Sequence, residues 1–183
     1  MKKHLSIAFL FISIFSQSQT YIKANAATAL LLIPNVGIET SIGKKSTFQF
    51  DILASFWSSV NGKPKEIYTF TPEYRCHFHE KYNGFYIGGH IGGSIFNLQK
   101  PDKKYTDFRE HGHGYFIGAT IGYEKKLNER FMIDIFLGGG NHQAFYKDYS
   151  ITTGERVDKA EHWNKSGDWL PYRGGLMISY HLN

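Results

Sequence analysis

The chain has almost nothing with which to cross-link itself. Its single cysteine, Cys76, permits no internal disulfide and no thiolate metal site, and reads as a small apolar residue. Beyond the N-terminus no apolar run approaches the roughly 18 residues that a membrane-spanning helix requires, which excludes a helical membrane protein. Internal repeats and low-complexity tracts are absent, and 183 residues suffice for one domain. Charge of one sign is not in great excess: 21 Lys and Arg face 16 Asp and Glu, a net +5. What the chain does have is 15 Phe, 12 Tyr, 3 Trp and 19 Gly. That much aromatic surface is incompatible with disorder, and the glycine and aromatic excess belongs to all-β architectures.

The first segment reads as an address label. Lys2, Lys3 and His4 form a basic head, residues 5–15 (LSIAFLFISIF) an apolar core of secretory length, and Ser16-Gln17-Ser18 a small-residue cleavage region. The expected division is a signal peptide over residues 1–18, with cleavage after Ser16 as the alternative, followed by a barrel domain over 19–183. Loss of Lys2 and Lys3 leaves 19 basic and 16 acidic residues, a net +3. Such a balance, in an exported chain, argues against a nucleic-acid partner.

The remaining chain alternates with period two almost everywhere. Phe48, Phe50, Ile52, Ala54 and Phe56 share one face, and Thr47, Gln49, Asp51 and Ser55 the other, with Leu53 as a lone apolar intruder. Tyr68, Phe70, Tyr74, Cys76 and Phe78 alternate in the same way with Glu73, Arg75 and His77. Similar patterns run over residues 85–95, 115–124, 131–149 and 172–182, with a shorter one over 36–42 and a weaker one over 21–31. Eight strands are expected. Their connections alternate between tight (43–45, 79–84, 128–129) and longer and polar (58–66, 97–113, 150–168). An eight-stranded up-and-down antiparallel barrel produces that alternation, because consecutive hairpins open at opposite rims.

Alternation leaves open which face is oily. A secreted soluble barrel of the lipocalin kind turns its apolar face inward, and a transmembrane barrel turns it outward. Three features favour the membrane. The polar face carries both signs of charge, Glu39, Asp51, Glu73, Arg75, Glu124, Asp134 and Arg173, as a narrow interior requires for pairing. Rings close the oily stripes at both ends, Phe48 and Phe56, Tyr68 and Phe78, Tyr115 and Tyr123, Tyr172 and Tyr180, as interfacial girdles do. The early glycine-x-tryptophan of a lipocalin is missing; Gly167-Asp168-Trp169 lies near the wrong end.

The stretches Pro34-Asn35-Val36-Gly37-Ile38-Glu39 and Pro72-Glu73-Tyr74-Arg75 stand beside Gly84-Phe85-Tyr86-Ile87-Gly88, Tyr115-Phe116-Ile117-Gly118 and Ile121-Gly122-Tyr123. With these motifs the chain resembles, over essentially its whole mature length, the small outer-membrane barrels grouped as domain-of-unknown-function family 3575. The resemblance implies an eight-stranded barrel in the outer membrane of a diderm bacterium, with no established activity. Such barrels are inserted by the barrel-assembly machinery, which reads a terminal aromatic residue; Tyr180 stands closest to that place here.

Function then rests on the interior and the loops. Eight strands enclose a space that side chains fill, so no wide pore is expected. Glu39, Asp51, Glu73, Arg75, Asp134 and Arg173 form the expected interior charge ladder, whose alternative use is a reaction centre or proton path. No cofactor and no metal site is expected, since the nine histidines show no converging ligand set. The expected role is structural or loop-mediated, without catalysis. A lipid-modifying acyl ester hydrolase is the enzymatic alternative, but the candidates His90 and Ser94 face inward and no acidic partner follows. Lys100, Lys103, Lys104 and Arg109, interleaved with Tyr105 and Phe108, are candidates to contact lipopolysaccharide phosphates or an external ligand.

Overall fold

The computed structural model describes residues 19–100, 105–157 and 163–182. The expected signal peptide, residues 1–18, lies outside them. The described chain is eight antiparallel strands closed into a barrel in sequence order: β1 Thr20–Asn25, β2 Asn35–Ser41, β3 Ser46–Val60, β4 Lys63–His77, β5 Gly84–Leu98, β6 Phe108–Lys126, β7 Phe131–Ser150 and β8 Asn164–His181. β1 pairs with β8, from Tyr21 opposite His181 to Asn25 opposite Met177, so the ring has no free edge at its lower end. The up-and-down barrel read from the alternation is the architecture found.

The side chains sort by face as a period of two demands. Ile22, Ile38, Phe50, Phe70, Ile87, Ile117, Ile135 and Ile178 point outward and are exposed. Lys23, Glu39, Gln49, Glu73, Arg75, Glu124 and Asp134 point inward and are at most 1% exposed. Cys76 is on the outer wall. The polarity is that of a protein turned inside out.

Four local features depart from the alternation. The expected first strand ends at Asn25, whose side-chain oxygen accepts a hydrogen bond from the Ala27 amide (3.2 Å) and starts one helical turn, α1 (Ala26–Ala29). The expected long loop over 58–66 is instead strand on both sides of a two-residue turn, Asn61-Gly62, with φ of 53° and 78°. Two consecutive positive φ values are what a tight hairpin turn needs, and Asn-Gly supplies them. The 97–113 and 150–168 loops are likewise shortened by strand, to residues 99–107 and 151–163. Finally, β8 carries an extra residue: Gly138 pairs with Arg173 but Gly139 with Pro171. Tyr172 is the residue left over, and this bulge reverses the parity of β8 above it.

At the lower rim Tyr82, in the β4–β5 turn with φ 64°, folds beneath the barrel and is fully buried. Its ring lies 4.7 Å from that of Tyr21, and its hydroxyl donates to the Gln19 carbonyl (2.7 Å). Burial raises the phenol above its usual range. With Met132, these two tyrosines floor the barrel.

Candidate functional site

The densest chemistry is the charge cluster in the lower half of the interior. Inward positions of β1, β2, β4, β6 and β7 bring it together, since each strand offers every second residue to the same narrow space. Lys23 Nζ lies 2.6 Å from Glu39 Oε2, 2.7 Å from Asp134 Oδ2 and 3.2 Å from Glu124 Oε1. Arg75 Nη1 meets the same three oxygens at 3.0, 2.9 and 3.1 Å, while its Nη2 reaches Glu73 Oε2 at 3.1 Å. The guanidinium stacks over the Tyr86 ring at 4.4 Å, and the Tyr86 hydroxyl donates to Asp134 Oδ1 (3.0 Å). Thr47 Oγ1 donates to Glu39 Oε1 (2.5 Å), and His77 Nε2 contacts Glu124 Oε2 (2.8 Å).

One storey higher, Arg173 bonds Asp51 Oδ2 (2.7 Å) and lies 3.2 Å from Glu73 Oε2, so Glu73 links the two storeys. The six residues expected as an interior ladder therefore all lie inside and are joined through shared oxygens. Lys23, Glu124, His77 and Tyr86 complete the cluster. Glycine makes room for it: a methyl group on Gly88, the cross-strand partner of Arg75, would collide with the Glu73 carboxylate.

Among the described residues, Glu39, His77 and Glu124 place ligand-type atoms within 4.8 Å of one another. Lys23 and Arg75 already sit on oxygens of Glu39 and Glu124, so the two carboxylates are ion-paired within the cluster.

A second polar group stands above the ladder. His90 bridges Thr120 Oγ1 (3.0 Å) and the Tyr172 hydroxyl (2.7 Å), and Ser94 Oγ lies 2.9 Å from His142 Nε2. Ser94, His142 and Tyr172 border a cavity of about 350 Å³ whose other walls include Leu53, Ile67, Phe116, Phe136 and Leu170. Ser94 thus pairs with His142 on β7, not with His90 on its own strand. Such a long-range pairing leaves no trace in spacing.

The expected girdle divides. Phe48, Phe56, Tyr68, Phe78, Tyr115, Tyr123 and Tyr180 are on the outer wall, between 37 and 62% exposed. Phe56 meets Tyr68, and Phe131 meets Tyr180, edge to face. Tyr172 is the correction: as the extra residue of the β8 bulge it turns inward with Arg173, and its hydroxyl bonds His90.

The loop candidates are engaged within the chain. Lys100 pairs with Glu110 (3.0 Å) and lies 5.0 Å from the Tyr146 ring. Arg109 donates to Asn97 and lies 5.4 Å from the Tyr149 ring. Lys103 and Lys104 lie outside the described residues.

The sequence profile of one family, proteins of unknown function DUF3575, matches residues 4–182 of this closed eight-stranded ring and its N-terminal segment. The chain belongs to that family. No curated protein matches it. For DUF3575 the barrel supplies what the family description does not: an all-β fold with eight strands, and among its described residues no helix long and apolar enough to cross a membrane, which says nothing of strands. The motif residues Glu39, Glu73 and Arg75, which carried the resemblance, are three of the buried charges of this DUF3575 barrel.

Proposed function

We propose that the chain is an integral outer-membrane β-barrel, exported through residues 1–18, with a structural or loop-mediated interaction role, no catalysis and no wide pore. One observation carries this reading: each of the eight strands turns apolar residues outward and leaves them exposed. Water would meet Ile22, Ile38, Phe50, Phe70, Ile91, Ile121, Leu137 and Ile178, one on each strand and each 37 to 61% exposed, around the whole circumference. Apolar patches of such extent mark a surface covered by something, and a closed ring of them fits a bilayer. The rings Phe48 and Phe56 are eight residues apart on β3, about 26 Å along the strand, which a tilt of roughly 40° makes about 20 Å of height, within an apolar band of about 25 Å in such barrels. The reading without a wide pore is supported by the interior, where Arg75, Lys23, Tyr86 and Met132 are buried.

Outer-membrane lipids, lipopolysaccharide included, are then the partners of the wall, and the barrel-assembly machinery is the partner during insertion. The test is cell fractionation with alkaline carbonate extraction and surface proteolysis. Membrane recovery with cleavage confined to residues 99–107 and 151–163 is expected; recovery in the soluble periplasm overturns the reading.

Acyl ester hydrolysis is a second reading, favoured by one contact, Ser94 Oγ to His142 Nε2 at 2.9 Å on a largely apolar cavity. Among the described residues no carboxylate is hydrogen-bonded to His142; its cross-strand partner Asp168 is exposed. Release of acyl chains from outer-membrane lipids by refolded barrel, lost in Ser94→Ala, would establish it. No release from several lipid classes retires it.

A further inference from the structure

The barrel wall is not equally high all round. β1 stops at Asn25 and β2 starts at Asn35, whereas β3 runs on to Val60 and β8 begins at Asn164. β2 accompanies β3 only as far as Asn35 opposite Leu53, and β1 accompanies β8 only as far as Asn25 opposite Met177. The last links are the Ala54 amide to the Pro34 carbonyl (2.9 Å) and Asn25 Nδ2 to the Gly174 carbonyl (3.2 Å). Above them, among the described residues, no strand fills the space between β8 and β3. A notch in the wall results, with residues 26–34 lying across it as a strap.

The strap has two faces. Leu30, Leu31 and Leu32 are 87, 62 and 71% exposed, whereas Thr28 and Ile33 line the cavity behind. On the β3 side it is held by the Ala54 amide bond to the Pro34 carbonyl at its end and, along its length, by a hydrogen bond from Trp57 Nε1 to the Leu31 carbonyl (3.1 Å). In height the notch lies within the apolar band: Leu53, at its sill, stands between the girdle rings Phe48 and Phe56 on β3. Behind it, the cavity of about 350 Å³ has the size and the mainly apolar lining of a small-molecule site. Its polar lining has two parts: Asn35, Asp51 and Arg173 are bonded to one another at the base of the cavity, whereas Ser94, His142 and Tyr172 on β5, β7 and β8 offer hydroxyl and imidazole groups on the wall.

We propose that this cavity binds a long-chain fatty acid, taken laterally from the bilayer over the leucine-bearing strap, with its carboxyl group toward Ser94, His142 and Tyr172. A water-borne ligand has no use for three exposed leucines at the threshold. An acyl chain does, because it never leaves an apolar surface between leaflet and cavity. The carboxyl end requires hydrogen-bond partners once desolvated, and the hydroxyls on the far wall supply them. The lateral route, though not the cavity itself, rests on the outer-membrane reading.

The experiment is photolabelling of the full barrel in lipid nanodiscs with a diazirine-bearing fatty acid, the sites mapped by peptide mass spectrometry. Labels on the inward residues Leu53 and Ile67 are expected, removed by excess dodecanoic acid and reduced at least tenfold in Thr69→Trp, which fills the cavity. Leu53→Trp is the second filled variant, each checked for its heat-modifiable folded band. Labels confined to outward Ile52, Phe56 and Tyr68, or inward labels that survive competition, overturn the proposal while leaving the membrane reading intact. Inward labels without outward ones would remove the membrane reading and keep the cavity.

Discussion

Lys23 Nζ and Arg75 Nη1 bind the same three carboxylate oxygens, one each from Glu39, Glu124 and Asp134, all at 3.2 Å or less. Neither cation owns a partner, so each holds the other's carboxylates in place. Both are completely buried, and charges removed from water survive only while such pairing is complete. Arg75→Leu should therefore cost about 3–5 kcal/mol, the usual loss when one member of a buried set is removed. Urea unfolding of refolded barrel, followed by the heat-modifiable band on gels, reads it directly. An unchanged midpoint and band shift would count against the ladder.

The sharing predicts non-additivity as well. Lys23→Met alone leaves Arg75 on the three oxygens, and Arg75→Leu alone leaves Lys23. The double variant leaves three carboxyl groups facing one another with neither. In a double-mutant cycle the coupling should exceed about 1 kcal/mol, within the range for residues in one ion network. Additive losses would mean that the two cations act independently.

Lys23 escaped the sequence reading for a physical reason. β1 has only two outward apolar residues, Ile22 and Ala24, and its inward set begins with Tyr21, an aromatic residue that serves the lower floor. The alternation was therefore weak where it mattered most. Longer strands, with four or five outward residues each, placed Asp51, Glu73, Arg75, Asp134 and Arg173 inside, and on short β2 the spacing of Val36, Ile38 and Ile42 did so for Glu39. Leu53, an apolar intruder in the pattern of β3, is a wall of the upper cavity. Its oddness was a signal of that cavity, legible only once the opposite wall was known. The Ser94–His142 contact joins positions 48 residues apart, and no local pattern records it.

Tyr172 gives a second test of position. Parity counted from Tyr180 puts it on the lipid side; the bulge opposite Gly138 and Gly139 puts it inside. In a background lacking the native tryptophans, Tyr172→Trp fluorescence should be nearly untouched by brominated lipid, whereas Tyr180→Trp should be strongly quenched. Equal quenching would mean that β8 has no bulge at this place.

The Asn61-Gly62 turn isolates a backbone effect. A Cβ on Gly62 would have no heavy atom within 4 Å, so Gly62→Ala adds no collision; only its φ of 78° penalises a side chain. The expected loss is about 1 kcal/mol, and Asn61→Gly should be nearly silent. Urea midpoints of the two variants check this. A loss in Asn61→Gly equal to that in Gly62→Ala would show that the side chain, not the backbone, holds the hairpin.

Asp107 ties the two long upper loops together and makes their joint pH-sensitive. Its carboxylate accepts hydrogen bonds from Ser150 Oγ (2.5 Å), Thr152 Oγ1 (2.7 Å) and the Thr152 amide (3.2 Å), joining the β5–β6 loop to the start of the β7–β8 loop. These bonds favour the ionised form, so the Ser150 and Thr152 hydroxyls hold the carboxyl below its usual range. A folded value depressed below the unfolded one, about 3.9, contributes stability that is present above pH ~4 and is lost as pH falls through the folded value. The Thr152 amide should then keep its hydrogen-exchange protection from neutral pH down to about pH 4 and lose it in stronger acid. Asp107→Asn removes the charge at every pH, so its Thr152 amide should exchange faster already at pH 7, with the barrel strands unchanged. Protection that is the same in variant and parent at pH 7 would show that the loops are held together by something other than this carboxylate.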